Sequence, residues 1–188
     1  METRDRLLDA AQELIQAGGY NGFSYQHLAD RIGIRKASIH HHFPSKADLG
    51  REVIRRYRQR LEDGVRAIDA RSDFWEAFEL YLAPFRRVNQ ANLVCLCGAL
   101  AAEFPSLPPE MQLEVRGFFE SHQQWLTHLF SLGQQAGAFQ LREDPAEAAR
   151  LCFSSLQGAL LVQRSLGESS YLEDVISNLK FVLGGPSR

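Results

Sequence analysis

Basic, hydroxyl and imidazole side chains are concentrated around one tight corner of the chain, within residues 24–49. The corner reads Ile32-Gly33-Ile34, and a short helical pattern stands on each side of it. Two helices held across each other by so short a turn have the geometry that fits the major groove of DNA. Side chains of these types can contact phosphates and base edges. The candidate contact residues in and beside this motif, which spans residues 24–43, are Ser24, Tyr25, Gln26, Arg35, Lys36, Ser38, His40, His41 and Lys46.

Small and apolar residues of the same segment have a different predicted role, which is to hold the motif together. Ala29 is small where the two helices must approach closely, and Gly33 permits the tight turn. Ile39 and Phe43, with the isoleucines on either side of Gly33, are expected to form a small core. These scaffold residues position the second helix and contact no base.

About the first 50 residues resemble the DNA-binding head of the tetracycline-repressor (TetR) family of bacterial transcriptional regulators. The resemblance implies a homodimer, a repressor of transcription, that leaves double-stranded operator DNA when a small-molecule effector binds. The remainder of the chain resembles the family only in its all-helical architecture. The residues that carry the resemblance are Ala10, Ala11, Leu14, Gly19, Tyr20, Phe23, Ser24, Leu28, Ala29, Ile32, Gly33, Ile34, Ser38, Ile39, His42, Phe43, Ser45, Lys46 and Leu49.

The histidine triplet His40-His41-His42 departs from the family pattern, which in many members is Tyr-Tyr-His. Imidazole can still donate to a phosphate, but the reach and apolar area of the phenol are lost. The operator preference of relatives therefore does not transfer to this chain. Three consecutive helical residues point about 100° apart, so we do not expect the triplet to bind one metal ion.

Charge is distributed unevenly along the chain. The net charge is −2, yet residues 1–60 hold 11 Lys and Arg against 7 Asp and Glu, and residues 61–188 hold 10 against 16. A basic head on an acidic body suits a protein that binds nucleic acid. A run of arginines on one predicted helix is either a second phosphate-binding surface or, as we favour, a solvated face that pairs with acidic residues. These are Arg51, Arg55, Arg56, Arg58 and Arg60.

Helical periodicity dominates the chain and predicts an all-α fold of about nine helices. We expect a three-helix helix-turn-helix DNA-binding domain over residues 1–47 and a helical effector-binding and dimerisation domain over residues 48–188. A continuous helix that begins at Ser45 should join them. Pro84 should kink or shorten its helix, and residues 93–104 are expected to form a buried helix. Helix starts are predicted at Ser24, Ser45, Asp73, Asp144 and Ser170.

Aromatic residues of the body are spaced as in helices, which usually indicates a core. The family resemblance raises the alternative that some of them line a pocket for a small apolar or electrophilic effector. Two histidines, His122 and His128, could supply polar groups there or could be exposed to solvent. The candidate pocket residues are Phe78, Phe85, Cys95, Phe104, Phe118, His122 and Trp125.

The cysteines allow a redox role. Cys95 and Cys97 lie in a stretch that resembles family members in which a cysteine senses electrophiles or oxidants. On a helix the two side chains point about 200° apart, so they should not bond to each other. Both could instead be small core residues, as we expect of Cys152. A thiol enzyme that uses Cys95 is a further alternative, but the sequence supplies no clear histidine partner for it.

The last two predicted helices suit a dimer interface in which four helices pack together. Small residues there would permit a close approach, and a palindromic operator requires a dimer. The candidate interface residues are Leu151, Ser155, Gly158, Leu161 and Leu179. We expect no enzyme activity, catalytic residue, cofactor, metal site or membrane span. An odd number of cysteines and the lack of a signal peptide predict a cytoplasmic protein.

Overall fold

The computed structural model describes residues 2–69, 73–168 and 170–184. These residues form nine α-helices and one short 3-10 helix, with no strand among them, so the predicted all-α fold is confirmed. The 3-10 helix, Phe104–Ser106, lies between α6 and α7. The α-helices are α1 (Thr3–Gly18), α2 (Tyr25–Ile32), α3 (Lys36–His42), α4 (Lys46–Asp69), α5 (Phe74–Gln90), α6 (Leu96–Ala102), α7 (Pro109–Gln135), α8 (Pro145–Leu166) and α9 (Tyr171–Val182).

Most of the predicted N-caps form. The Ser24 hydroxyl accepts a hydrogen bond from a backbone amide in the first turn of α2, at 3.3 Å. The Ser45 hydroxyl accepts one in the same way from a first-turn amide of α4, at 3.1 Å. Asp73 caps α5 through two amides at 2.9 and 3.0 Å, and Asp144 caps α8 at 2.8 Å. Each bond satisfies a donor that has no partner within its own helix. Ser170 is the N-cap residue of α9, so the predicted helix start is confirmed, although its side chain makes no cap hydrogen bond.

In unit 1, Gly19 and Gly33 end helices in the left-handed region of φ. Gly19 follows α1 with φ +79°, and Gly33 follows α2 with φ +72°. The amides of Gly33 and of Ile34 donate to the carbonyl oxygen of Ala29 at 2.9 and 3.1 Å, and so close the turn before α3. The predicted use of Gly33 at this corner is confirmed.

Two helices differ from the sequence predictions. Pro84 lies inside α5, but the helix continues to Gln90 and is not shortened, whereas the alternative of a kink stays a prediction. The buried helix expected over residues 93–104 is shorter, because α6 begins at Leu96 and Cys95 is its N-cap. Asn92 has φ +53°, so the chain leaves α5 through a turn before it enters α6.

The chain forms two compact units. Unit 1 comprises residues 1–61 and 95–118, and unit 2 comprises residues 62–94 and 119–188. Two long helices, α4 and α7, each contribute residues to both units. The functional boundary between residues 47 and 48 stays a prediction.

Two of the predicted interface leucines are exposed. Leu151 and Leu161 are 49% and 44% exposed in this single chain. Leu179, a predicted interface residue, is instead buried in unit 2. None of the helices, over the residues described, is long and apolar enough to cross a bilayer.

Candidate nucleic-acid interface and buried aromatic cluster

The scaffold of the helix-turn-helix motif forms as predicted. Ala29 is buried on α2, Ile39 is the buried residue of α3, and Phe43, the C-cap of α3, is buried as well. Ile32 and Ile34, on either side of the turn, are half-buried. The apolar side of α3 is therefore fixed against the rest of unit 1, and its opposite side faces solvent.

The exposed face of α3 carries no acidic residue. Arg35 stands at the N-cap of α3, and basic, hydroxyl and imidazole side chains follow it. Gln26 on α2 is also exposed, with its Nε2 donating to Asp30 at 2.7 Å, whereas Ser24 is half-buried and caps α2. The predicted contact residues that share this exposed face of α3 are Arg35, Lys36, Ser38, His40 and His41.

His40 is held in one orientation by two neighbours. Its ring lies edge-on to the Tyr25 ring, with 4.9 Å between centroids, and its Nδ1 is 3.2 Å from the carbonyl oxygen of Pro44. A carbonyl oxygen can only accept, so in the neutral ring Nδ1 must carry the proton and Nε2 must be the acceptor.

Tyr25 belongs to the scaffold and not to the exposed face. The side chain is 6% exposed, and its hydroxyl donates to the carbonyl oxygens of Phe43 and Ser45 at 2.9 and 2.6 Å. Burial, with a smaller effect of Asp48, raises the pKa of the phenol. The hydroxyl predicted to contact DNA is therefore used to fix the connection between α3 and α4.

Lys46 points toward the turn between α1 and α2. Its Nζ donates to the carbonyl oxygen of Phe23 at 2.6 Å and lies 4.4 Å from the ring centroid of Tyr20 and 4.5 Å from that of Phe23. Burial lowers the pKa of Lys46, and the carboxylate of Glu103 opposes that effect. Part of the charge predicted for phosphate binding is thus directed at the protein itself.

The arginines of α4 are paired with carboxylates inside unit 1, as the favoured interpretation predicted. Their partners lie on α1, on α4 itself and on α7. A second phosphate-binding surface on this helix would require these pairs to break. The pairs are Arg51–Asp48 at 3.4 Å, Arg55–Glu52 at 3.0 Å, Arg56–Asp9 at 2.7 Å, Arg58–Glu114 at 3.1 Å and Arg60–Asp9 at 3.8 Å.

A cluster of aromatic rings is buried in unit 2. Tyr81 stacks on Trp125 with 5.0 Å between centroids, and His122 stacks on Phe153 with 4.7 Å between centroids. The structure thus brings together four predicted pocket residues and adds Tyr81 and Phe153, which sequence reasoning missed. Helical spacing from Phe78 and Phe85 could have identified Tyr81. The aromatic cluster consists of Phe78, Tyr81, Phe85, His122, Trp125 and Phe153.

One hydrogen-bonded polar pair lies inside this cluster. His122 is 3% exposed, and its Nδ1 lies 2.8 Å from the hydroxyl of Tyr81. Burial lowers the pKa of His122 to about 3, so the ring is neutral at physiological pH. The alternative that His122 is exposed to solvent was wrong.

The remaining predicted pocket residues belong to unit 1. Phe118 packs on Tyr57 with 5.6 Å between centroids, and Phe104 lies beneath the guanidinium of Arg116 at 5.2 Å. Cys95 is within 3.9 Å of the Tyr57 hydroxyl. Cys95, Phe104 and Phe118 are thus described with unit 1, and the aromatic cluster with unit 2.

All three cysteines are buried free thiols. Burial raises the pKa of the Cys97 thiol well above its usual value, with the neighbouring Cys95 adding to the effect. Burial also raises the pKa of Cys152 to about 12. Both thiols are thereby disfavoured as thiolates, which are the reactive form.

Over the described parts of the chain, no group of three or more metal-ligating side chains converges.

An apolar surface runs along α8 and α9. Leu151 and Leu161 are two of several exposed apolar residues on these helices. Gly158 lies between them in the sequence, and a Cβ placed on it would have no other atom within 4 Å. Ser155 is half-buried on the same helix. The exposed apolar residues of this surface are Leu151, Leu161, Val162, Leu166, Phe181 and Val182.

Two family descriptions match the chain: "Bacterial regulatory proteins, tetR family" over residues 7–53, and "Tetracyclin repressor-like, C-terminal domain" over residues 75–179. A TetR-family regulator of Agrobacterium tumefaciens is 34% identical, with TM-score 0.90 and coverage of 96% of this chain and 97% of that one. A TetR regulator of Legionella pneumophila is 32% identical, with TM-score 0.89 and coverage of 97% and 98%. The transcriptional regulator AcuR of Cereibacter sphaeroides is 27% identical over 174 residues, which are 81% of this chain and 75% of AcuR.

Proposed function

This chain belongs to the TetR family of DNA-binding transcriptional regulators, and from that premise we propose that it is a homodimeric repressor released from its operator by a small effector. It would act in the bacterial cytoplasm on double-stranded DNA. The family consists of transcriptional regulators, which are generally not enzymes, and this favours the regulator over the thiol enzyme.

The observation that carries the proposal is the exposed face of α3. Arg35 and Lys36 supply positive charge at its start, and Ser38, His40 and His41 supply hydrogen-bonding groups along it. The cations would bind phosphates on either side of the major groove, and the other groups would reach base edges.

Dimerisation is supported by the apolar surface of α8 and α9. Exposed leucines and a phenylalanine would leave water when two copies pack together, and Gly158 would let two helices approach closely. Two heads related by a twofold axis would then bind two inverted half-sites.

The aromatic cluster supports a small, largely apolar effector. Its rings offer apolar contact, and the Tyr81–His122 pair offers one hydrogen-bonding position. Because burial keeps His122 neutral, we infer a neutral effector and not a carboxylate. The rings pack against one another, so an effector must separate them, and binding would favour a second arrangement of the body. Small neutral alcohols, aldehydes and esters, screened for release of the protein from DNA, test this inference against matched carboxylates.

A cysteine-based response to oxidants or electrophiles is a narrower alternative, centred on Cys95. Cys95 is the N-cap of α6 and lies beside the Tyr57 hydroxyl on α4, so an adduct there would disturb the packing of these helices. A Cys95→Ser variant tests the alternative, and an unchanged release of DNA by oxidant would remove it.

Selection of binding sites from a random-sequence duplex library tests DNA binding directly. We expect enrichment of inverted half-sites, bound more weakly as salt rises. Lys36→Ala should weaken binding, and Arg142→Ala, which removes an exposed charge from the loop before α8, should not. Failure to enrich any sequence at low salt would overturn the proposal.

A further inference from the structure

The turn between α1 and α2 is held by a side chain far away in the sequence. Glu103 is the C-cap residue of α6, and its Oε2 accepts from the backbone nitrogen of Asn21 at 2.9 Å and from Nδ2 of Asn21 at 2.6 Å. The same Nδ2 donates to Ser106 Oγ at 3.1 Å, and Ser106 Oγ donates to the carbonyl oxygen of Glu103 at 2.8 Å. Glu103 and Ser106 thus hold Asn21 by its backbone and its side chain together.

The close approach of this carboxylate depends on Gly19. A Cβ at Gly19 would lie 1.8 Å from Oε1 of Glu103, and the φ of +79° is itself one that side chains rarely allow. The carboxylate therefore lies directly against the backbone of the turn. This packing places Glu103 within the architecture of the head, although it follows α6 in the chain.

The held turn leads directly into α2. Asn21 shortly precedes Ser24, whose hydroxyl caps α2, and Lys46 holds the intervening Phe23 carbonyl from another helix. Gln26, exposed in the first turn of α2, is one of the candidate DNA contacts. The order of the turn thus fixes the N-terminus of α2, where contacts to the phosphate backbone are expected.

We propose that Glu103 is a positioning residue for DNA binding, because its carboxylate orders the α1–α2 turn before DNA arrives. A turn that is already ordered loses less conformational entropy on binding. Since Glu103 is the C-cap of α6, its carboxylate also links α6 to this turn. The inference rests on the proposed DNA-binding role of the head and adds a residue outside the helix-turn-helix to it.

At Glu103, the effect of the negative charge can be separated from the effect of side-chain length by substitution. A carboxylate near DNA could act simply by repelling phosphates, in which case its removal would tighten binding. Glu103→Gln removes the charge and keeps an acceptor oxygen at full reach. Glu103→Asp keeps the charge on a side chain about 1.5 Å shorter. Glu103→Ala removes both charge and reach.

The affinity of the full-length variants for a duplex selected by the wild-type protein tests the proposal. We expect Glu103→Asp and Glu103→Ala to bind about three- to tenfold more weakly, and Glu103→Gln to bind within about twofold of wild type. Glu110→Ala is the matched control, since it removes a carboxylate from the first turn of α7 and leaves the Asn21 hydrogen bonds in place. It should bind as wild type.

Hydrogen exchange at the Asn21 amide keeps the test independent of folding. We expect faster exchange in Glu103→Asp and Glu103→Ala than in Glu103→Gln. Unchanged exchange in the Ala variant, or tighter DNA binding by both the Gln and the Ala variants, would overturn the proposal. A wild-type protein that selects no duplex would instead refute the proposed function before any variant is compared.

Discussion

His40 presents a hydrogen-bond acceptor at the exposed face of α3. Its Nδ1 faces the carbonyl oxygen of Pro44, which leaves the lone pair of the neutral ring on Nε2. In the major groove the available donors are the exocyclic amino groups of cytosine and adenine, whereas a phosphate offers none. The neutral ring is therefore suited to a base edge.

Replacing His40 by Phe should relax the choice of base at one position in each half-site. The ring against Tyr25 is kept and the acceptor is lost, so the preference for adenine or cytosine there should fall by about fivefold, the value of one hydrogen bond. Binding to the selected duplex and to single-base variants measures this change. Lys36→Ala, on the same face, should weaken all duplexes alike. An unchanged base preference in His40→Phe would contradict the assignment.

The buried ring of His122 makes stability depend on pH. Its pKa is about 3 in the folded protein and 6.5 ordinarily, so the unfolded chain binds the proton first as pH falls. The stability associated with the neutral ring is therefore complete above pH 6.5 and is lost progressively toward pH 3. Between pH 7 and pH 5, wild type should lose about 2 kcal/mol more unfolding free energy than His122→Phe. Urea denaturation measures both proteins, and a constant difference across this range would rule out a buried neutral histidine.

Among the elements, α8 has two apolar faces, one buried and one exposed. Leu156 and Leu160 are buried within unit 2, whereas Leu151 and Leu161 are exposed on the other side of the helix. A helix that is apolar on a second, exposed face indicates a further packing partner. In the proposed homodimer, that partner is the same surface of a second copy.

Leu161→Asp should convert the protein to a monomer. A buried, unpaired carboxylate at the interface is strongly unfavourable, and loss of the second head should weaken operator binding by at least about tenfold. Sedimentation measures the mass, and titration of the selected duplex measures the affinity. Leu113→Asp, at a residue 70% exposed on α7, is the control and should remain dimeric. A Leu161→Asp variant that sediments as a dimer would place the interface elsewhere.

The elements were predictable where their signals are local. The caps at Ser24, Asp73 and Asp144 follow from residues within one turn of each helix start, and all three form. The roles of Tyr25 and Glu103 depend on partners brought near by folding, and Glu103 is 82 positions from Asn21. No periodicity or motif encodes such a pairing, and so the exposed residues of α3 and the apolar scaffold were identified while the roles of Tyr25 and Glu103 were not.

Across the whole molecule, the charge available to DNA is smaller than the composition of the head suggests. The arginines of α4 are paired with carboxylates, so Arg35 and Lys36 are the main cations on the α3 face of each protomer in the proposed homodimer. For four phosphate contacts per dimer, the slope of log affinity against log salt should be about −3.6. Titrations of the selected duplex over a salt series measure the slope.

Arg35→Ala should reduce the magnitude of that slope by about 1.8, because the dimer loses two contacts. Arg60→Ala removes a charge that is already paired with Asp9 and should leave the slope unchanged. A wild-type slope steeper than about −6, reduced by Arg60→Ala, would show that the α4 arginines also bind phosphates.

Unit 1 consists of two separate segments of the chain, and this determines how the DNA specificity of another regulator could be transferred to this protein. A graft of residues 1–61 from another regulator would have to match the segment 95–118 that packs with them. The donor would need a small residue at position 50, where a Cβ would lie 2.7 Å from the Met111 side chain. The donor would also need an arginine at position 58, so that the ion pair with Glu114 can form. Chimeric regulators built on this chain should therefore exchange both segments together, since the transferable module is discontinuous in sequence.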